Sequence, residues 1–316
     1  MKRRTLLMSS SIIPAAFAAD ALATPSAQDS QLSKMDPDFS AIEDYFLKKE
    51  MPKAGEMSVK NRTMITLAAL TTISGVTRLH QATADALKAG MSVVEIKETL
   101  YQCAPYIGIT RVESALVEVN DALQKLGQNP IPTSQSTVNE TTRFEKGLAV
   151  QKGIFGNAID KMHASTPENQ AYISKQALTA YCFGDFYTRT GLDLKARELI
   201  TFTAIMCLGG CEPQLKAHTA ANFSVGNSKQ DLIDTIMVAM PYIGFPRTLN
   251  ALAVVKKSPN SFLFALAPVL CAGAYANLCV ISQIFEKFAS SEIVYPFDSI
   301  KLISVNQIFL KNFLTS

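Results

Sequence analysis

Residues 77–116 align without a gap to residues 213–252 at an offset of 136, and 13 of the 40 aligned positions are identical. The identities include the run Pro105-Tyr106-Ile107-Gly108 against Pro241-Tyr242-Ile243-Gly244. A match this long is a duplicated domain rather than a solenoid unit. Such a chain folds as two related halves, and wherever the copies differ, each is a control for the other.

The chain has 316 residues, enough for two domains that each bury a core. At 48% hydrophobic and 18% charged, its composition is that of an ordinary globular protein. The formal charge is +3, and Lys2, Arg3 and Arg4 account for three positives. The remainder is near neutral, which excludes the basic surface a nucleic-acid partner requires.

Residues 1–23 read as an export signal. The basic start leads into an apolar stretch at 6–19, followed by small-residue cleavage patterns at 16–18 and 21–23. Arg3-Arg4-Thr5-Leu6-Leu7 also fits a twin-arginine signal; the alternative is a general secretory one. Either predicts an exported, periplasmic protein. The cysteines at 103, 182, 207, 211, 271 and 279 differ in position between the copies, so they form no shared disulfide framework. The histidines at 80, 163 and 218 show no zinc-ligand spacing, and no metal is expected.

The organisation that follows is a tether at 24–37, repeat one at 38–126, a linker at 127–142 rich in Pro, Ser, Thr and Asn, repeat two at 143–257, and a tail at 258–316. Apolar spacing predicts helices over 59–73 and 194–208, with Ser58 and Asp193 as N-caps. Ser92 with Glu95 forms a capping box, and Ser228 with Asp231 forms its counterpart. Pro105 and Pro241 are expected to kink or end their helices. No alternating strand precedes the tail, so both repeats read as all-α. The tail matches neither repeat. Its uncharged stretch 262–285 is long enough to span a bilayer, but the reading preferred is an extra packed helix or an appended segment with no shared role.

The copies differ where chemistry would sit. Glu198 faces Thr63 at an offset of 135, His218 faces Ala82 at 136, and Cys211 is the extra residue between them. Cys211 follows Gly209-Gly210 and precedes a helix start, where unpaired amides favour a thiolate. His218 lies seven residues on, near two turns, where it could face the same side as Cys211. A straight antiparallel hairpin leaves Glu198 roughly 8 Å along the axis from His218, so a tilted crossing or a bridging water is needed to join them. Taken singly, each has a plain alternative: a core histidine, a first-turn acid and small apolar fillers. Cys207 lies on the preceding helix and reads as core.

Repeat two resembles a carboxymuconolactone decarboxylase domain, of the superfamily that includes alkyl hydroperoxidase D. The resemblance lies in residues 143–150, 155–158 and 183–192, in Arg197-Glu198-Leu199-Ile200, in His218, and in residues 242–246 and 250–252. Repeat one resembles the family more weakly, over 38–123. The resemblance implies two tandem alkyl hydroperoxidase D-like helical domains, a pocket around Glu198 and His218, and a ring-like homo-oligomer, a trimer of tandem chains. The peroxidase branch has Cys-x-x-Cys-x-x-x-His; here Cys211 holds the first position, but Gln214 stands at the second.

Three functions follow. The first is acid/base catalysis on a small carboxylated lactone or related acid. His218 would exchange the proton, Glu198 would tune it, and Arg189, Arg197 or Arg247 would hold the substrate carboxylate. No cofactor is called for, because the lactone itself accepts the developing carbanion. The second is a thiol peroxidase, with Cys211 attacking peroxide and Cys207 as resolving thiol. The third is a non-catalytic assembly or ligand-binding module.

Overall fold

The computed structural model describes residues 32–53 and 55–258. Residues 1–23, expected to be an export signal, and residues 259–316 of the tail, including 262–285, lie outside the described residues. Among the described residues there are helices and no strands, as the residue spacing predicted.

Repeat one contributes α1 (Pro37–Tyr45), α2 (Val59–Thr72), α3 (Leu79–Lys88), α4 (Val93–Ile107) and α5 (Ile109–Lys125). Repeat two contributes α6 (Arg143–Phe155), α7 (Ala158–Ser165), a π-helix (Tyr172–Tyr187), α8 (Leu194–Leu208), α9 (Glu212–Ser224) and α10 (Lys229–Lys257). The local signals set the helix starts. Ser58 accepts from the Asn61 amide at 3.2 Å and Asp193 from the Ala196 amide at 2.8 Å. Both capping boxes, Ser92–Glu95 and Ser228–Asp231, are complete. These contacts satisfy first-turn amides that otherwise have no partner.

The shared proline and glycine divide their work. Pro105 sits inside the last turn of α4, and the break falls three residues later at Gly108, with φ 89°. In α10 the counterpart is Gly244, with φ 72° and ψ 169° inside an otherwise helical run. The left-handed φ is open to glycine at little steric cost, which accounts for its presence in both copies.

The repeats do not build separate cores. α2 and α8, the equivalent helices, are both largely buried, and their side chains enter one apolar cluster. Met64, Ile65, Leu67 and Leu70 from α2 join Ile200, Phe202, Ala204 and Ile205 from α8. Leu100 of α4 and Ile236 of α10 complete it. Helices this apolar on all sides are central helices, and duplication supplies two of them to one core.

A second layer holds the π-helix. Gly147 of α6 and Gly184 of the π-helix let the two backbones touch: a Cβ on Gly184 would lie 2.2 Å from the Arg143 carbonyl oxygen. Arg143 pairs with Asp185 across the same contact. The linker runs alongside, with Thr190 bonded to Gln135 through backbone and side chain.

Candidate active site

Glu198 is the fifth residue of α8, past the first turn rather than in it, and is fully buried. Its Oε2 is 2.9 Å from His218 Nδ1. The contact is direct, with no gap for a bridging water. Asn222, one turn beyond His218, donates to the carbonyls of both Glu198 (3.0 Å) and His218 (2.8 Å). The Glu198 backbone is therefore level with Asn222, and the long glutamate side chain spans the remaining turn, about 5.4 Å. Asn227 bonds Asn222 Oδ1 and the Lys195 carbonyl, holding α9 against α8.

A buried carboxylate needs donors on both oxygens. The Tyr187 hydroxyl donates to Glu198 Oε1 at 2.8 Å. Burial and the adjacent carboxylate hold the Tyr187 phenol well above its ordinary range, so it keeps its proton and serves as a donor. His218 Nδ1 serves the other oxygen. His218 Nε2 has no hydrogen-bond partner among the described residues, and the side chain is 10% exposed. The ring edges of Tyr106 and Phe155 flank the imidazole, each with centroids 5.4 Å away.

Tyr106 belongs to repeat one. Its hydroxyl lies 2.9 Å from that of Tyr187, and Cys182 Sγ donates to it at 3.5 Å. Burial raises the Tyr106 phenol well above its usual range and pushes the Cys182 thiol up to about 12. Neither Tyr106 nor Tyr187 was singled out from the sequence. A signal for Tyr106 was available: it is the tyrosine of the tetrapeptide retained in both copies.

Cys211 is not joined to the dyad. It is the N-cap residue of α9, and its thiol donates to the Gly209 carbonyl at 3.5 Å. Seven residues of helix place it about 10 Å from His218 along the axis. It lines a cavity of about 10 Å³ with Arg247 and Leu215, room for at most one water. Cys207 is buried on α8, and burial pushes its thiol up, which opposes formation of a thiolate. The four cysteines among the described residues are free thiols.

The arginines also depart from expectation. Arg197 has no exposed surface and donates to Glu98 Oε2 at 3.0 Å, Gln102 Oε1 at 3.0 Å and the Arg189 carbonyl at 2.9 Å. Arg189 grips both oxygens of the same Glu98. These guanidiniums hold a carboxylate of the chain itself, which a sequence reading could not separate from holding a substrate. Arg247 packs over Gly209 beside Cys211, away from the dyad.

The counterparts in the other copy take different partners. Arg62, the counterpart of Arg197, donates to the Gly55 carbonyl at 3.0 Å, and Asp234, the counterpart of Glu98, accepts from the Glu56 amide at 3.3 Å. Glu198 and His218 have no mirror: Thr63 bonds the Lys60 carbonyl, and Ala82 is buried in the core. A wider cleft of about 400 Å³ lies between the starts of α2 and α8, lined by Lys60, Glu95, Asp193 and Lys195. The dyad does not line it.

Comparison with known proteins agrees with the duplicated architecture. The 4-carboxymuconolactone decarboxylase of Acinetobacter baylyi is 25% identical over 125 residues, 38% of this chain and 89% of that protein. The nitrosuccinic acid decarboxylase npaB of Metarhizium robertsii is 25% identical over 135 residues, 42% of this chain and 92% of that protein. An uncharacterized 15.0 kDa protein of Paracoccus denitrificans is 27% identical over 139 residues, 44% of this chain and 93% of that protein. The model of the carboxymuconolactone decarboxylase family matches twice, at 37–121 and 174–257, so this chain belongs to that family as a tandem member.

Proposed function

We propose that the protein decarboxylates a small carboxylated lactone or a related acid, with His218 as the proton donor and Glu198 as its partner. One observation supports this above the others: the buried 2.9 Å contact between Glu198 Oε2 and His218 Nδ1, with Nε2 left open. Two relatives are named as decarboxylases, one of a carboxylated lactone and one of a nitro acid. Both names describe acids in which a neighbouring group can accept an electron pair.

The steps follow from that chemistry. The C–C bond to the carboxylate breaks, CO2 leaves, and the electron pair passes into the lactone or nitro group. Protonated His218 then delivers the Nε2 proton to the carbon. Glu198 stabilises the imidazolium, and Tyr187 shares the carboxylate's charge. Solvent restores the proton. Proton transfer by a positioned group contributes about 10²–10⁴-fold.

The test is CO2 release from a panel of carboxylated lactones and 2-nitro acids. His218→Gln is expected to lose at least about hundredfold in turnover on any active substrate. Full turnover by His218→Gln would refute the assignment.

A further inference from the structure

Arg197, a donor only, and the Glu198 carboxylate, an acceptor, stand at the two ends of the hydrogen bonds behind the dyad and orient them. Arginine has no acceptor. Its Nη1 faces Gln102 at 3.0 Å, so the amide must present Oε1 there. Gln102 Nε2 therefore points the other way, to Thr201 Oγ1 at 3.2 Å. Thr201 Oγ1 lies 2.8 Å from Tyr187 Oη, and because Tyr187 gives its proton to Glu198, Thr201 is the donor of this pair. Tyr106 lies against the same oxygen at 2.9 Å. The single proton of Tyr187 goes to Glu198 Oε1 at 2.8 Å. Glu198 Oε2 is left facing His218 Nδ1. Arg197, Gln102, Thr201, Tyr187 and Glu198 are all buried.

We propose that Gln102, from the repeat that lacks the dyad, is a positioning residue for it. Locked by Arg197, Gln102 drives a one-way chain through Thr201 and Tyr187 that keeps Glu198 an acceptor. The chain fixes one His218 proton on Nδ1 and leaves Nε2 as the nitrogen that exchanges with substrate. The inference rests on the dyad reading above. The mirror position supports it: Val238, buried, stands where Gln102 would in the copy of the network whose dyad positions are Thr63 and Ala82. The titratable groups around His218 are Glu198 of α8, Tyr187 and Cys182 of the π-helix, and Tyr106 of α4; α6 presents Phe155.

The experiment is ¹⁵N-histidine NMR on the full chain, with the His218 signals assigned by their loss in His218→Gln. Wild type is expected in the Nδ1–H tautomer. Gln102→Leu and Thr201→Val cut the chain and let the Tyr187 proton turn from Glu198 toward Thr201 or Tyr106. Glu198 Oε1 then loses its donor, the acceptor role of Glu198 and the Nδ1–H tautomer are no longer enforced, and turnover falls by about tenfold, the worth of one hydrogen bond to a charged group. Thr201→Ser restores wild-type behaviour. Gln102→Glu is the closest in shape and still pairs with Arg197. It takes the Thr201 proton, reverses the chain, and is expected to be worse than Gln102→Leu.

A merely structural role predicts the opposite order, and a Gln102→Glu protein with wild-type His218 tautomer and titration would overturn the proposal. The NMR readout needs no substrate. Unimpaired decarboxylation by His218→Gln would therefore sink the proposed function while leaving the chain standing, and a silent Gln102→Glu spectrum would sink the chain alone.

Discussion

Tyr106 in repeat one and Tyr187 in repeat two place their hydroxyls 2.9 Å apart, directly behind Glu198. The site is thus completed by the copy without a dyad. The counterpart of Tyr106 is Tyr242, which sits beside Thr66, the counterpart of Thr201. Each half lends its tyrosine to the other, which gives the retained Pro-Tyr-Ile-Gly run a physical reason. Tyr187→Phe removes the phenolic donor from Glu198 without changing ring volume. Turnover is expected to fall by about tenfold or more with the melting temperature little changed; unchanged turnover would show that Glu198 does not depend on this donor.

Glu98 is the acid on which Arg189 and Arg197 converge, and its side chain is 1% exposed. Its removal leaves a sealed guanidinium unpaired. Glu98→Ala is expected to destabilise the fold by about 3–5 kcal/mol in urea denaturation. A loss below about 1 kcal/mol would mean that the clasp does not join the repeats energetically.

How much of this was legible follows from range. Ser58, Asp193, Ser92 and Ser228 were readable as caps because their partners lie three residues away. Glu198 and His218 were readable because the other copy has Thr63 and Ala82. Arg189 and Arg197 were misjudged because their partner, Glu98, lies about 90 residues upstream and carries no local mark. The shared core was hidden for the same reason: an apolar helix does not reveal which copy it packs against. Cys211 drew attention by its place at a helix start, but a helix N-terminus sets a residue's electrostatics, not its neighbours.

Gly184 and Gly147 test the support of the π-helix. An added Cβ at Gly184 meets the Arg143 carbonyl oxygen at 2.2 Å, and one at Gly147 meets the Thr179 carbonyl oxygen at 2.3 Å. Both obstacles are backbone and cannot rotate away. Gly184→Ala is expected to cost about 1–3 kcal/mol in thermal or urea unfolding and to displace Tyr187, lowering turnover as well. Wild-type stability in this variant would contradict the close contact.

The thiols should separate by burial. Cys103 and Cys182 are pushed up to about 12, and Cys207 is raised as well, each chiefly by burial. Cys211 is half-buried. Under native conditions near neutral pH, a maleimide read by peptide mass mapping should modify Cys211 well before these three. Equal labelling of Cys207 would mean that the last turn of α8 is open.

Glu95 gives the acid limb of stability a specific contributor. Burial alone would raise its carboxyl, but Lys60 at 2.6 Å and the Ser92 donors outweigh burial and hold it below its ordinary value. A carboxyl depressed in the folded state contributes stability above its unfolded pKa, near 4.3, and loses it as pH falls through the folded value. The stability gap between wild type and Glu95→Gln is therefore expected to be full at neutral pH and to close as the solution is acidified below about pH 4. A gap constant from neutral to strongly acidic pH would contradict the assignment.

The most direct measurement is CO2 release on one accepted acid by three proteins: wild type, Glu198→Gln and Cys211→Ser. The account predicts that Glu198→Gln falls by at least about hundredfold while Cys211→Ser turns over like wild type. Full activity in Glu198→Gln, with loss in Cys211→Ser, would contradict it and move the chemistry to the thiol.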